Sequence, residues 1–274
     1  ECDVVPEYPL EEKGEPFYKE GLVFKGWDVE PHVHETPDTY YYTAVYEEKT
    51  DTTTVESNWL CFTAEAPKSE IWYINTNNNP DVQYSIDGGK TWKTLEEGVK
   101  VTLENKDDKV YFKGNNPEGF SHGPVERSGF VMSGLIKASG SVMSLIDGVG
   151  KSKVIPNDYC FSLLFAGCKA LTQAPELPAT TLTKACYEFM FQDCINLTEA
   201  PKLPATKIYD KSYVGMFMGC SNLKIAPELP ATEMKYRCYD SMFRSCTSLE
   251  TPPALPAKVL DRECYHQMFQ ECTK

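Results

Sequence analysis

Cys186-Tyr187-Glu188-Phe189-Met190-Phe191-Gln192-Asp193-Cys194 is the stretch on which the reading of this chain turns. Its opening pair returns 26 residues later as Ser212-Tyr213, then as Cys238-Tyr239 and Cys264-Tyr265, and Cys160-Phe161 begins a looser copy before it. The inner columns keep the same step. Phe165, Phe191, Phe217, Phe243 and Phe269 form one; Cys168, Cys194, Cys220, Cys246 and Cys272 form another. Leu171, Leu197, Leu223 and Leu249 follow, and then Leu-Pro-Ala runs from Leu177, Leu203, Leu229 and Leu255. A fixed period of this size is the mark of a solenoid, in which each repeat buries its apolar columns against its neighbours. It points to a binding surface rather than to a reaction.

Within the quoted block the apolar residues fall at i, i+4, i+8 and at i+1, i+5. That spacing predicts one face of about two helical turns. Pro201 and Pro204 then flank the second half of the coil, so any strand there is short and ends near Ala200. A further apolar column runs Leu182, Ile208, Met234 and Leu260. Columns that keep their identity are expected in the core, and columns that vary are expected to face solvent. The variable ones are Thr183, Tyr209, Lys235 and Asp261; Lys184, Asp210, Tyr236 and Arg262; and Ala185, Lys211, Arg237 and Glu263. Tyr, Arg and Lys on one strip match the composition of interface hot spots. Tyr209, Lys235, Tyr236, Arg237 and Arg262 are therefore the expected ligand-binding residues. Thr172, Glu199, Lys224 and Glu250 form a second variable column beside the short strands.

Three segments are expected: 1–50, 51–150 and 151–274. The first holds Gly21 to Asp28, alternating around glycine, and the β-prone run Thr39 to Tyr46, which predict a small module of three or four strands. The second predicts strands at residues 59–64, 70–75, 82–86, 99–103, 109–113 and 129–133, separated by Asn-, Gly- and Pro-rich turns, and hence a β-sandwich. Inside it, Ser85-Ile86-Asp87-Gly88-Gly89-Lys90-Thr91-Trp92 resembles the Asp-box of sialidases. One copy cannot build a propeller, so the expected role is structural: Asp87 caps a hairpin turn and Trp92 packs back on it.

The Met-Phe-x-x-Cys-x-x-Leu runs, such as Met190-Phe191 to Cys194 and Leu197, together with the Leu-Pro-Ala-Thr turns, resemble the BspA-type leucine-rich repeat over about 160–274. This chain departs from the commoner form of that repeat in its longer period and in its Leu-Pro-Ala-Thr turn. Glu20-Gly21, Phe24, Gly26-Trp27 and Tyr41-Tyr42 to Tyr46 resemble the Listeria–Bacteroides repeat. With the β-sandwich read from its strands between them, the resemblances imply a multidomain, mainly β chain: a β-grasp-like spacer, that sandwich, and an α/β leucine-rich-repeat solenoid of 26-residue repeats. They also imply a non-enzymatic bacterial cell-surface or secreted protein, an adhesin whose repeats bind host extracellular-matrix or other cell-surface proteins. The alternative is a glycan-binding protein that uses sandwich aromatics such as Trp59, Trp72 or Trp92.

Charge sharpens these exclusions. The net charge of −13 is uneven: residues 1–50 carry 4 basic and 13 acidic groups, and residues 151–274 carry 14 and 13. An acidic front half repels phosphate and argues against nucleic acid. No apolar run approaches the roughly 18 residues of a membrane span. Of the eleven cysteines, nine lie in the two repeat columns. Eight residues of helix separate those columns by about 12 Å, beyond the roughly 7 Å that a disulfide bridges, so the expectation is buried thiols acting as small apolar fillers. No nucleophile elbow, phosphate loop or Cys-x-x-Cys is present, and His32-x-His34 has no third ligand near it in sequence, so neither an enzyme nor a cofactor or metal is expected. The opening Glu1-Cys2 reads as mature sequence, and the array stops one residue before the Leu its period demands, which predicts either a longer array or a frayed or covered last coil.

Overall fold

The computed structural model describes residues 57–76 and 78–274, and before these only the backbones of four strands. The chain divides into two units, Glu1–Glu56 and Ser57–Lys274. In the first, β1 (Leu22–Trp27) pairs antiparallel with β4 (Ala44–Glu48), with an irregularity between Phe24 and Gly26, and β2 (His32–Val33) pairs with β3 (Tyr40–Tyr41). The side chains expected to matter there, His34 among them, lie outside the described residues.

In the second unit all six strands expected from the alternating pattern are present: β5 (Leu60–Ala64), β6 (Ser69–Asn75), β7 (Gln83–Ser85), β9 (Val101–Leu103), β10 (Lys109–Lys113) and β11 (Ser128–Ser133). The structure adds β8 (Lys93–Thr94), β12 (Ile136–Ser139), the one-turn helix α1 (Ser144–Asp147) and β13 (Leu171–Gln173). One sheet runs β13-β12-β5-β10-β7-β8 and the other β11-β6-β9. Alternate residues point inward, Val101 and Leu103 on β9, Val110 and Phe112 on β10, Phe130 and Met132 on β11. Their rings meet between the sheets: Phe130 lies 5.5 Å from Phe62 and 5.2 Å from Phe112, edge to face.

The Asp-box hairpin is built as its sequence predicts. Asp87 accepts from the Ser85 and Thr91 hydroxyls and from the Thr91 N–H, Gly88 and Gly89 take positive φ, and Trp92 Nε1 donates to the Gly89 carbonyl at 3.0 Å. These hydroxyls hold the Asp87 carboxyl far below the usual carboxylate range.

From residue 159 onward the expected two-turn helix is absent. Among the described residues α1 is the sole α-helix, and it lies outside the repeats. In its place each block is a ribbon that closes every four residues. The N–H groups of Glu188, Met190, Gln192 and Cys194 bond back three residues, whereas those of Tyr187, Phe189, Phe191 and Asp193 donate to Ser212, Val214, Met216 and Met218 of the next coil. A helix needs every N–H for itself; here half of them are given to the neighbour. Every fourth residue takes positive φ, as at Ala185, Phe189 and Asp193, and again at Lys211, Gly215 and Gly219. The i, i+4, i+8 spacing is therefore the period of this ribbon, not an approximation to 3.6. Parallel bridges Glu199↔Ile225↔Thr251 and Val154↔Thr181↔Lys207 tie the coils together elsewhere.

The conserved columns stack through the array. Phe165, Phe191, Phe217, Phe243 and Phe269 form a ladder with centroids 5.5–5.7 Å apart, and Phe161, Tyr187, Tyr213, Tyr239 and Tyr265 form a second at 5.5–6.2 Å. The cysteines are more than filler. Cys194 Sγ donates to the Phe165 carbonyl at 3.2 Å, Cys220 to Phe191 at 3.1 Å and Cys246 to Phe217 at 3.1 Å. A small apolar side chain that can still donate reaches the free lone pair of a buried carbonyl one coil back. Among the described residues every cysteine is a free thiol.

The packing does not break at residue 150. Phe130 of β11 stacks 5.9 Å from Phe165 and accepts from Cys168 Sγ at 3.0 Å, so a sheet strand supplies the coil that precedes the first coil. Its N–H donates to the Leu164 carbonyl at 2.7 Å, and β12 pairs in parallel with β13. At this seam a Cβ on Gly140 (φ +67) would stand 1.9 Å from the Trp59 carbonyl oxygen, so the close approach admits only glycine. No helix among the described residues is long and apolar enough to cross a membrane.

Candidate functional site

The ribbon sets which side chains reach solvent. Several positive-φ positions, such as Asp193, Gln267 and Glu271, lie on the outer face, whereas Ala185, expected to face solvent, is buried because its small side chain does not reach solvent; coils one strand spacing apart bring equivalent positions side by side. Of the five expected binding residues, the structure brings three into contact. Two guanidinium groups lie over the Tyr236 ring, with Arg262 Cζ 4.8 Å and Arg237 Cζ 5.4 Å from its centroid. Glu263 ties the pair together: its carboxylate bonds Arg237 at 2.5 Å and stands 3.9 Å from Arg262 Nε. Arg237 also reaches Asp240 at 3.5 Å, whereas the Arg262 side chain is 74 % exposed. Tyr209 and Lys235 are exposed column neighbours, and neither makes a ring or ion-pair contact with the cluster.

Next to the cluster is a groove of about 450 Å³ that the sequence did not announce. Phe189, Val214 and Met218 line it together with Arg237, Asp240 and His266. Its shape depends on Gly215: a Cβ there would meet the Phe189 ring at 2.2 Å, so the ring lies over the bare backbone. Asp240 is buried and held by Ser241 at 2.7 Å and His266 Nδ1 at 3.3 Å. The one signal in the sequence was the Phe, Gly, Ser, Gln variation at positions 189, 215, 241 and 267, which becomes readable only once those positions are known to carry positive φ.

The three tryptophans of the sheet region are differently placed. Trp59 donates Nε1–H to the Gly148 carbonyl and meets Trp92 edge-on at 5.0 Å. Lys113 covers Trp92 at 4.3 Å and Lys100 covers Trp72 at 4.7 Å. Each has a ring face or polar edge already engaged, and they do not form one shared platform.

No family model, curated protein or solved structure matches this chain. This outer face combines guanidinium groups over an aromatic ring, a carboxylate bridge, and a groove of mixed polar and apolar lining at the side. Among the described residues no group of three or more His, Cys, Asp or Glu is placed to hold a metal ion.

Proposed function

We propose that the stacked coils form a leucine-rich-repeat solenoid of the BspA-like kind, and that the chain is a non-enzymatic bacterial cell-surface protein, an adhesin that binds protein ligands through the variable outer face of its repeats. The N-terminal unit serves as a β-grasp-like spacer, and the sandwich serves as the base on which the array stands. The observation that carries this reading is the separation of roles between columns. The repeated Cys, Tyr, Met, Phe and Leu are spent on packing, while Tyr209, Lys235, Tyr236, Arg237 and Arg262 lie outside the core. Tyr and Arg held in advance lose little freedom on binding, which is what a hot spot requires. Glycan capture by the sandwich tryptophans is the weaker alternative, because their rings are already engaged by neighbours.

The test is an array of extracellular-matrix proteins probed with the full chain. Tyr236→Ala and Arg262→Glu are expected to weaken the best-bound ligand at least tenfold, with the melting temperature unchanged. Binding that survives both substitutions, or no binding to any matrix or surface protein, would overturn the reading.

A further inference from the structure

The groove beside the Tyr236 cluster carries two opposite charges that the protein itself leaves unmatched. Most of the charged side chains in its lining are spoken for. Arg237 is held by Glu263 at 2.5 Å and by Asp240 at 3.5 Å, Arg244 by Glu271 at 3.4 Å, and Asp240 also by His266 Nδ1 at 3.3 Å. Glu188 and Lys211 complete the charged lining, and among the described residues neither side chain makes a hydrogen bond or an ion pair. Both residues are half-buried. Burial raises the Glu188 carboxyl above the usual carboxylate range, and Lys211 is the first of three cations that oppose this from beyond the 4.0 Å of an ion pair. A carboxylate taken part-way out of water without a partner costs free energy. The fold nevertheless keeps one in the wall of this groove, with an equally unpaired ammonium in the same wall.

Phe189, Val214 and Met218 supply the apolar part of the same lining, and the Phe189 ring is seated on the bare backbone of Gly215. A ligand that satisfies the whole groove must therefore bring a cation for Glu188, an anion for Lys211 and an apolar group for the hollow. A neutral sugar brings neither charge, and a molecule of one sign brings only half of the pair. The interior of a peptide has a neutral backbone and carries its charges on separate long side chains, each of which loses freedom when it is fixed. An α-amino acid carries its ammonium, its carboxylate and its side chain on one carbon. We propose that this groove binds a free α-amino acid with an apolar side chain, its ammonium on Glu188, its carboxylate on Lys211 and its side chain against Phe189, Val214 and Met218. The 450 Å³ of the groove falls within the about 300–1,000 Å³ of small-molecule sites. The site goes beyond the protein-binding face, with which it shares only Arg237.

The test is calorimetric titration of the full chain with L-leucine, L-methionine and L-phenylalanine. At least one is expected to bind saturably, with a dissociation constant on the order of 1 mM or tighter. N-acetylleucine lacks the ammonium, leucinamide lacks the carboxylate and glycine lacks the side chain, so each is expected to bind at least tenfold more weakly than leucine. Glu188→Gln and Lys211→Met are each expected to weaken leucine at least tenfold, with the melting temperature unchanged or raised. Tyr236→Ala is expected to leave leucine binding as it was, so that failure here and failure of the protein-binding reading are told apart. No saturable binding of any of the three amino acids would overturn the proposal. So would N-acetylleucinamide binding as tightly as leucine, or leucine binding that is insensitive to either groove substitution.

Discussion

The protein is expected to unfold in mild alkali, well before its arginines or the peptide chain are affected. Burial pushes the thiols of Cys168, Cys186, Cys238 and Cys246 up to about 12, from an ordinary value of 9.0, and those of Cys160, Cys194 and Cys220 are raised as well. The cause is desolvation: a thiolate in an apolar column has neither water nor a cation beside it. The sign follows from linkage. Above about pH 9 the unfolded chain releases these protons while the folded chain keeps them, so stability is intact below the unfolded value and falls as pH rises toward the folded one. Each buried thiol removes about 1.4 kcal/mol per pH unit across that window. Several together exceed the 5–15 kcal/mol that ordinarily hold a domain folded. Circular dichroism against pH should therefore show cooperative loss of structure between about pH 9 and 11, and a thiol reagent at pH 8 should label the buried thiols from Cys160 to Cys264 only after denaturation, Cys272 being partly exposed. A native signal that persists to pH 11, or rapid labelling of Cys160 to Cys264 in the folded protein as read by peptide mapping, would show that the columns are not sealed.

Phe130→Ala is expected to cost about 3–5 kcal/mol, the range for emptying a large aromatic site in a core. This ring is 2 % exposed and touches both layers of the sheet region as well as the first coil, through Phe62, Phe112, Phe120 and Phe165. The loss should appear in a single thermal transition, lowered by roughly 2–4 °C for each kcal/mol at this size. Phe269→Ala, at the far end of the same ladder and only partly buried, should cost distinctly less. If Phe130→Ala split the transition in two and left the array at its original temperature, the sheets and the coils would have separate cores.

The contrast between these two rings marks how far the sequence could be read. Phe269 belongs to a column visible at a glance, 26 residues after Phe243. Phe130 stacks on the same ladder but stands 35 residues before Phe165, so no periodicity links them; only the folded sheet brings β11 into the place of a coil. The sandwich strands were legible because alternation and turn residues are local signals. The ribbon was not, because apolar residues four apart fit a helical face over so short a run, and the inter-coil hydrogen bonds that distinguish the two are long-range. Tyr209, Lys235, Tyr236, Arg237 and Arg262 could be named from variation alone. That Arg237 and Arg262 share one ring, and that Glu263 joins them, depended on the spacing of coils, which variation does not reveal.

One consequence of the alternating N–H groups concerns how such a chain can change its length. Inserting a single residue into a coil turns outward donors inward and strands both sets, much as a one-residue slip inverts a strand. Two residues restore the donors but rotate Tyr and Phe out of the core, since the ribbon closes on four. Four residues restore both and leave a coil too long for its neighbours. The only edit that preserves donors, rings and fit together is a whole block of 26, placed between two existing coils. Copying errors of that size are therefore silent to folding, and each new block brings a fresh set of outer residues on which selection can act.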